Sequence, residues 1–238
     1  ERKQQKEELE RRVRDRTAEL ARPNIGLRRE VAERERGERL QAALYRIGAL
    51  AGSDESSERF YQQVHAIVGE LIDTRNFYIA LLSDDGGTVS FPYAVDQQER
   101  DWSPRSSGRG LTELVIRTAQ PQLVDLARAA ELIEAGEISP GMMTSPTRIW
   151  LGAPLLDAER VMGVVAVQTY SDTVAYDERD AELLLFVSYQ IASSLQRRRS
   201  AALLLQANVE LERRVEERTR ELRDQIAVRE QVEALLKH

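Results

Sequence analysis

One stretch of the sequence occurs twice: ELERRVRDRTAEL runs from Glu8 to Leu20 and ELERRVEERTREL from Glu210 to Leu222, with three differences between them. The offset of 202 residues is far beyond the unit length of a solenoid, which stacks repeats of about 20 to 45 residues. The repeat therefore describes one kind of helical segment placed on both sides of something else. In the first copy Val13, Thr17, Leu20, Asn24, Leu27 and Val31 recur at alternating spacings of four and three, and in the second Val215, Thr219, Leu222 and Ile226 do the same. That is the period of a coiled-coil seam. Polar Thr and Asn at seam positions weaken packing but fix register, because each buried polar group needs its counterpart opposite. The expected partner is thus a second copy of the chain in a parallel homodimer. Glu and Arg fill most other positions, so a solvated, charge-laced single helix is the alternative. Pro23 and Gly26 interrupt the first arm, since an interior proline removes a backbone hydrogen bond at a cost of about 3 kcal/mol.

Charge divides the 238 residues in the same way. Residues 1–40 carry 13 basic and 10 acidic side chains, 41–195 carry 11 and 22, and 196–238 carry 10 and 8. An acidic centre repels phosphate backbones, and arms that interleave both signs form no basic block, so nucleic acid is not an expected partner. The chain has no cysteine, which excludes disulfides, thiolate-bound metal and a thioether-linked chromophore. The two histidines, His65 and His238, do not make a metal or haem set. No apolar run reaches the roughly 18 to 20 residues of a membrane-spanning helix, so the reading is a cytoplasmic fragment. It starts without an initiator methionine and stops inside a helical pattern, as a piece cut from a longer protein would.

The expected organisation is a helical arm over 1–39, a globular domain over 40–195 and a second arm over 196–238. Leu40, Leu44, Ile47 and Leu50 predict a helix that breaks near Gly52 and Ser53. Phe60, Val64, Ile67, Val68, Leu71 and Ile72 predict a second one. Phe77 to Leu82 and Val89 to Val95 read as a hairpin around Asp84-Asp85-Gly86-Gly87, with Pro92 placing the second strand at an edge or a bulge. Gly110 opens a short helix, Gln122 to Leu126 reads as a small strand, and residues 127–147 read as a helix and loop fit for a lid. Ile149 to Leu156 and Val161 to Tyr170 are the strongest strand pair. From Asp177 one helix, carrying Leu183, Leu184, Val187, Ile191 and Leu195, continues into the second arm with no Pro or Gly.

Four strings in this order resemble the GAF sensor family: NFYIALLSDDGGTVSFPYAVD (Asn76 to Asp96), GRGLTELVIRTAQPQLV (Gly108 to Val124), WLGAPLLDAERVMGVVAVQTY (Trp150 to Tyr170) and YDERDAELLLFVSYQIASSLQRR (Tyr176 to Arg198). The resemblance implies an α+β fold, an antiparallel sheet with helices on both faces, flanked by long coiled-coil helices. The arms resemble bacterial signalling helices, and QVEALLKH (Gln231 to His238) resembles the linker before a GGDEF-type diguanylate cyclase or a sensor histidine kinase. What this implies is a regulatory module, itself without catalytic residues, that controls a covalently linked output domain and so cyclic di-GMP signalling. A ligand-free dimerisation spacer is the alternative.

The resemblance also implies a pocket between the sheet and its covering loops, with Tyr78, Tyr93, Trp102, Arg109, Gly110 and Trp150 as candidate ligand contacts. Arg109 and Gly110 stand where a helix begins, so free backbone donors and a guanidinium there would suit a phosphate or carboxylate. Met142 and Met143 would fill a gap or cover an unidentified small molecule. Residues 168–180 do not reproduce the signature of the cyclic-nucleotide-binding subgroup, and no nucleophile with a base, no phosphate loop and no cofactor site stands out.

Overall fold

A computed structural model describes residues 26–28, 30–51, 56–98, 101–140, 147–158 and 160–235, with side chains up to 226. Five helices and six strands are present among them. Helix α1 spans 30–50 and α2 Ser57–Gly69; β1 (Phe77–Leu82) and β2 (Thr88–Val95) form the predicted hairpin. Then come β3 (Arg105–Ser106), α3 (Leu111–Thr118), β4 (Gln122–Asp125), α4 (Leu126–Glu134), β5 (Ile149–Asp157), β6 (Arg160–Thr169) and α5 (Glu178–Leu235). Val13, Thr17, Leu20, Asn24, the break at Gly52 and Ser53, and Met142 and Met143 lie outside the described residues. The short strand β3 is an addition to the sequence reading, and the stretch read as a lid contains α4, which buries Ala129 and Leu132.

The strands form one sheet in the order β3-β2-β1-β6-β5-β4, and every neighbouring pair is antiparallel. Successive side chains of a strand point to opposite faces, and both faces are covered. Phe77, Ile79, Leu151, Ala153, Val165 and Val167 pack with α1, α2 and α5. The residues between them, Tyr78, Ala80, Trp150, Val164 and Ala166, pack with α3 and α4. This double burial is why the central strands read as continuous apolar runs. Gly163 lets β1 and β6 approach: a Cβ there would stand 2.1 Å from the Ala80 carbonyl oxygen.

Helix α2 begins at Ser56, whose hydroxyl accepts from the Arg59 amide. Helices α1 and α5 lie side by side and run in the same direction. Arg36 pairs with Asp180 at one end (3.5 Å), Ser194 Oγ donates to the Ile47 carbonyl in the middle (3.1 Å), and Arg198 Nη1 reaches the Leu50 carbonyl at the other end (3.3 Å). Arg197 likewise donates to the Gly48 carbonyl at 3.4 Å. The Gly48 carbonyl also accepts from Ala51 N at 3.4 Å, and two cations of α5 supply donors at this end, where the helix dipole is negative. Helix α1 therefore starts at the end of the domain opposite the one where α5 leaves it.

Helix α5 is a single helix of 58 residues. Leu184, Val187 and Ile191 are fully buried against the sheet. Beyond Leu195 the helix leaves the core, and Leu203, Leu204, Leu205, Val209, Val215, Leu222 and Ile226 are 46 to 68 % exposed. No helix among the described residues is long and apolar enough to cross a membrane.

Candidate functional site

On the α3/α4 face Tyr78 of β1, Phe91 of β2 and Trp102 of the following loop meet as one aromatic cluster. Their ring centroids are 5.0 to 5.7 Å apart. Trp150 of β5 donates its Nε1 hydrogen to the Tyr78 hydroxyl at 3.0 Å, and the same hydroxyl bonds Thr112 Oγ1 of α3 at 2.9 Å. Burial pushes the Tyr78 phenol up to about 12, so it stays a neutral hydroxyl. Gly152 makes room for the indole, since a Cβ there would come within 2.1 Å of the Trp150 ring.

Beside this cluster α3 starts at Gly110, and the carboxylate of Glu113 turns back onto the free amides of that start. It accepts from Gly110 N at 3.1 Å, Gly108 N at 3.2 Å and both terminal nitrogens of Arg105. Glu113 is 1 % exposed. Burial alone would raise its pKa, but the Arg105 hydrogen bonds and charge outweigh it and hold the carboxyl below its ordinary value. Arg105 also lies 5.6 Å from the centroid of the Phe91 ring. The arrangement is the glutamate half of a capping box tied to an ion pair.

The six sequence-chosen residues divide under this geometry. Tyr78, Trp102 and Trp150 come together. Gly110 is the expected helix start, but its amide is taken by the chain's own carboxylate. Arg109 is exposed, and its carbonyl accepts from Ser139 N at 2.8 Å. Tyr93 is on the other face. There it bonds His65 Nδ1 at 2.9 Å, while His65 Nε2 meets the Thr74 carbonyl at 2.8 Å. A carbonyl only accepts, so Nε2 carries a hydrogen. His65 stacks on Phe77 at 4.7 Å, in line with a structural role. Sequence reading missed Arg105, Thr112 and Glu113; the spacing Gly110-x-x-Glu113 carries a capping-box signal that points to the last of them.

Among the described residues, the polar side chains of this cluster are satisfied by one another and by the backbone. Open space lies on the opposite face: a cavity of about 620 Å3 at the end of the sheet where α5 departs.

A six-stranded antiparallel sheet between two helical layers, continued by one long exit helix, is the architecture of a small regulatory sensor domain. The chain belongs to the GAF domain family, whose model matches residues 54–196. Solved structures agree in fold. A GAF domain from A. aeolicus, in an inactive state, is 13 % identical with a TM-score of 0.51, over 68 % of this chain and 99 % of that one. The GAF domain of a phosphoenolpyruvate-protein phosphotransferase from Coxiella burnetii is 16 % identical with a TM-score of 0.52, over 70 % and 98 %. A free methionine-R-sulfoxide reductase from Neisseria meningitidis, with its substrate, is 17 % identical with a TM-score of 0.52, over 68 % and 91 %. Among curated proteins none matches the chain.

Proposed function

We propose that this GAF domain is a cytoplasmic sensor and transmission module that pairs through its arms as a parallel homodimer and controls a C-terminal output domain. A GGDEF-type diguanylate cyclase is the favoured output, with a histidine kinase as the other candidate. One observation carries the reading. Stepping back from the seam Ile226, Leu222, Thr219 and Val215 in alternating fours and threes gives Glu212, Asn208, Leu205, Ala201, Arg198, Ser194, Ile191, Val187 and Leu184. The last three are fully buried against the sheet. One heptad row, winding slowly around the helix, thus connects core contacts in the domain to the proposed seam of the arm. Any rotation of α5 that repacks Val187 and Ile191 turns the seam by the same angle, and interiors packed at crystal density favour two discrete arrangements over continuous drift.

The module itself acts without chemistry of its own. Relatives of this fold include a sulfoxide reductase, but a chain without cysteine does not carry out thiol-based sulfoxide reduction.

The absence of native cysteine gives a clean test. With Leu222→Cys, a parallel in-register pair brings the two sulfurs within disulfide reach, a Cα separation of about 5.5 Å. Oxidation is expected to give a covalent dimer, and Leu222→Lys is expected to sediment as a monomer. A monomeric wild-type chain at high micromolar concentration overturns the reading.

The cluster of Tyr78, Trp102 and Trp150 favours one second reading, that the α3/α4 face is a packed structural layer without a ligand.

A further inference from the structure

We propose that the cavity at the root of the exit helix binds a small amphipathic anion, an organic molecule with a compact apolar body and one carboxylate or phosphate. The cavity measures about 620 Å3, within the ~300–1,000 Å3 typical of small-molecule sites. Its apolar surface comes from three elements: Phe60 of α2, Leu81 and Met162 of the sheet, and Leu205 of α5. Three guanidiniums stand on its walls, Arg160, Arg198 and Arg199, against two carboxylates, Asp84 and Asp157. The charged lining is therefore net positive in a chain whose overall charge is −6. An apolar floor under a cationic rim selects an amphipathic anion over either a neutral hydrocarbon or a bare ion.

The rim is already organised. Arg199 donates to both oxygens of Asp84, at 2.6 and 3.3 Å, and Arg160 Nη2 donates to the Asp84 carbonyl at 2.7 Å. The Arg198 guanidinium lies 5.2 Å from the centroid of the Phe60 ring. Asp84 thus holds two cations at the mouth in place of an external anion. A ligand sharing them would join the β1–β2 turn, the β5–β6 turn and α5. It would fix residues 195–205 of the exit helix, the stretch through which the heptad row passes from core to seam.

The site serves the sensor reading but does not depend on pairing of the arms. The test is calorimetric titration of the full chain with octanoate, 2-naphthoate and 1-octanol. One anion per chain is expected, with octanol at least tenfold weaker. Met162→Trp, which takes up part of the apolar floor, weakens binding. Arg199→Gln weakens it about tenfold, whereas Asp84→Asn, which weakens the hold on Arg199 and leaves the Arg160 bond to the backbone carbonyl in place, tightens it severalfold. The Leu222→Lys chain binds like wild type, which separates this site from the dimer. Failure of both anions to bind at millimolar concentration overturns the proposal. So does binding that Met162→Trp leaves intact, or the two charge variants shifting affinity in the same direction.

Discussion

The two faces of the sheet solve the same packing problem differently. The α3/α4 face buries polar groups and satisfies them internally, in two hydrogen-bonded groups among aromatic rings: Trp150–Tyr78–Thr112 and Arg105–Glu113 with the Gly108 and Gly110 amides. The α1/α2/α5 face is mainly aliphatic and aromatic, with smaller polar contacts at His65–Tyr93 and Ser194, and it ends in open space beside the exit helix. Buried polar networks bind their members to one arrangement, because each partner lost leaves another unsatisfied. Aliphatic packing tolerates sliding and repacking at lower cost. The difference places rigidity on the face away from α5 and adjustability on the face that carries it.

Substitutions sharpen or break this contrast. The largest effect is expected from Trp150→Ala, which opens a cavity and removes the Tyr78 donor; urea unfolding should show a loss of about 3–5 kcal/mol. Glu113→Gln comes next, at about 1–3 kcal/mol, because it strips Arg105 of its counter-charge and weakens the cap. This variant also has a pH signature. Folding lowers the Glu113 pKa, so its contribution is fully present above the unfolded carboxyl value and lost as pH falls through the lower folded one. Thermal melts of wild type should therefore decline more steeply below about pH 4.5 than those of Glu113→Gln. Tyr78→Phe removes one shared hydroxyl and should cost about 1 kcal/mol. Asp84→Asn, at the exposed rim of the other face, should leave the melting temperature unchanged. If Asp84→Asn destabilised the fold as much as Glu113→Gln, the contrast between a sealed face and an open one would fail.

Much of this was legible in the sequence because double burial writes a plain signal. The strand pair after Ile149, the hairpin before it, the helices ahead of the sheet and the unbroken exit helix all follow from apolar runs and their periods. Tyr93 shows where counting fails. Val89, Phe91 and Tyr93 alternate in sequence, yet Ile79 pairs with Tyr93 and Leu81 with Ser90, so Phe91 and Pro92 together oppose Ala80. That bulge reverses the parity of the strand: Phe91 faces Tyr78 while Tyr93 faces His65. Pro92 announced the irregularity, but a period of two carries no memory of an inserted residue. Glu113 was hidden for another reason. A lone glutamate in an amphipathic helix looks solvated until the loop carrying Gly108 and Arg105 folds over it.

The exit helix has one more consequence. At about 1.5 Å per residue, the stretch from Leu195 to Leu235 is about 60 Å long. Over that span the orientation delivered at the far tip depends on phase as well as length. Adding seven residues would carry the tip farther and keep the same side forward, while adding four would swing the side by a fraction of a turn. The helix is a ruler graduated in heptads, and whatever it carries is set by angle more than by distance.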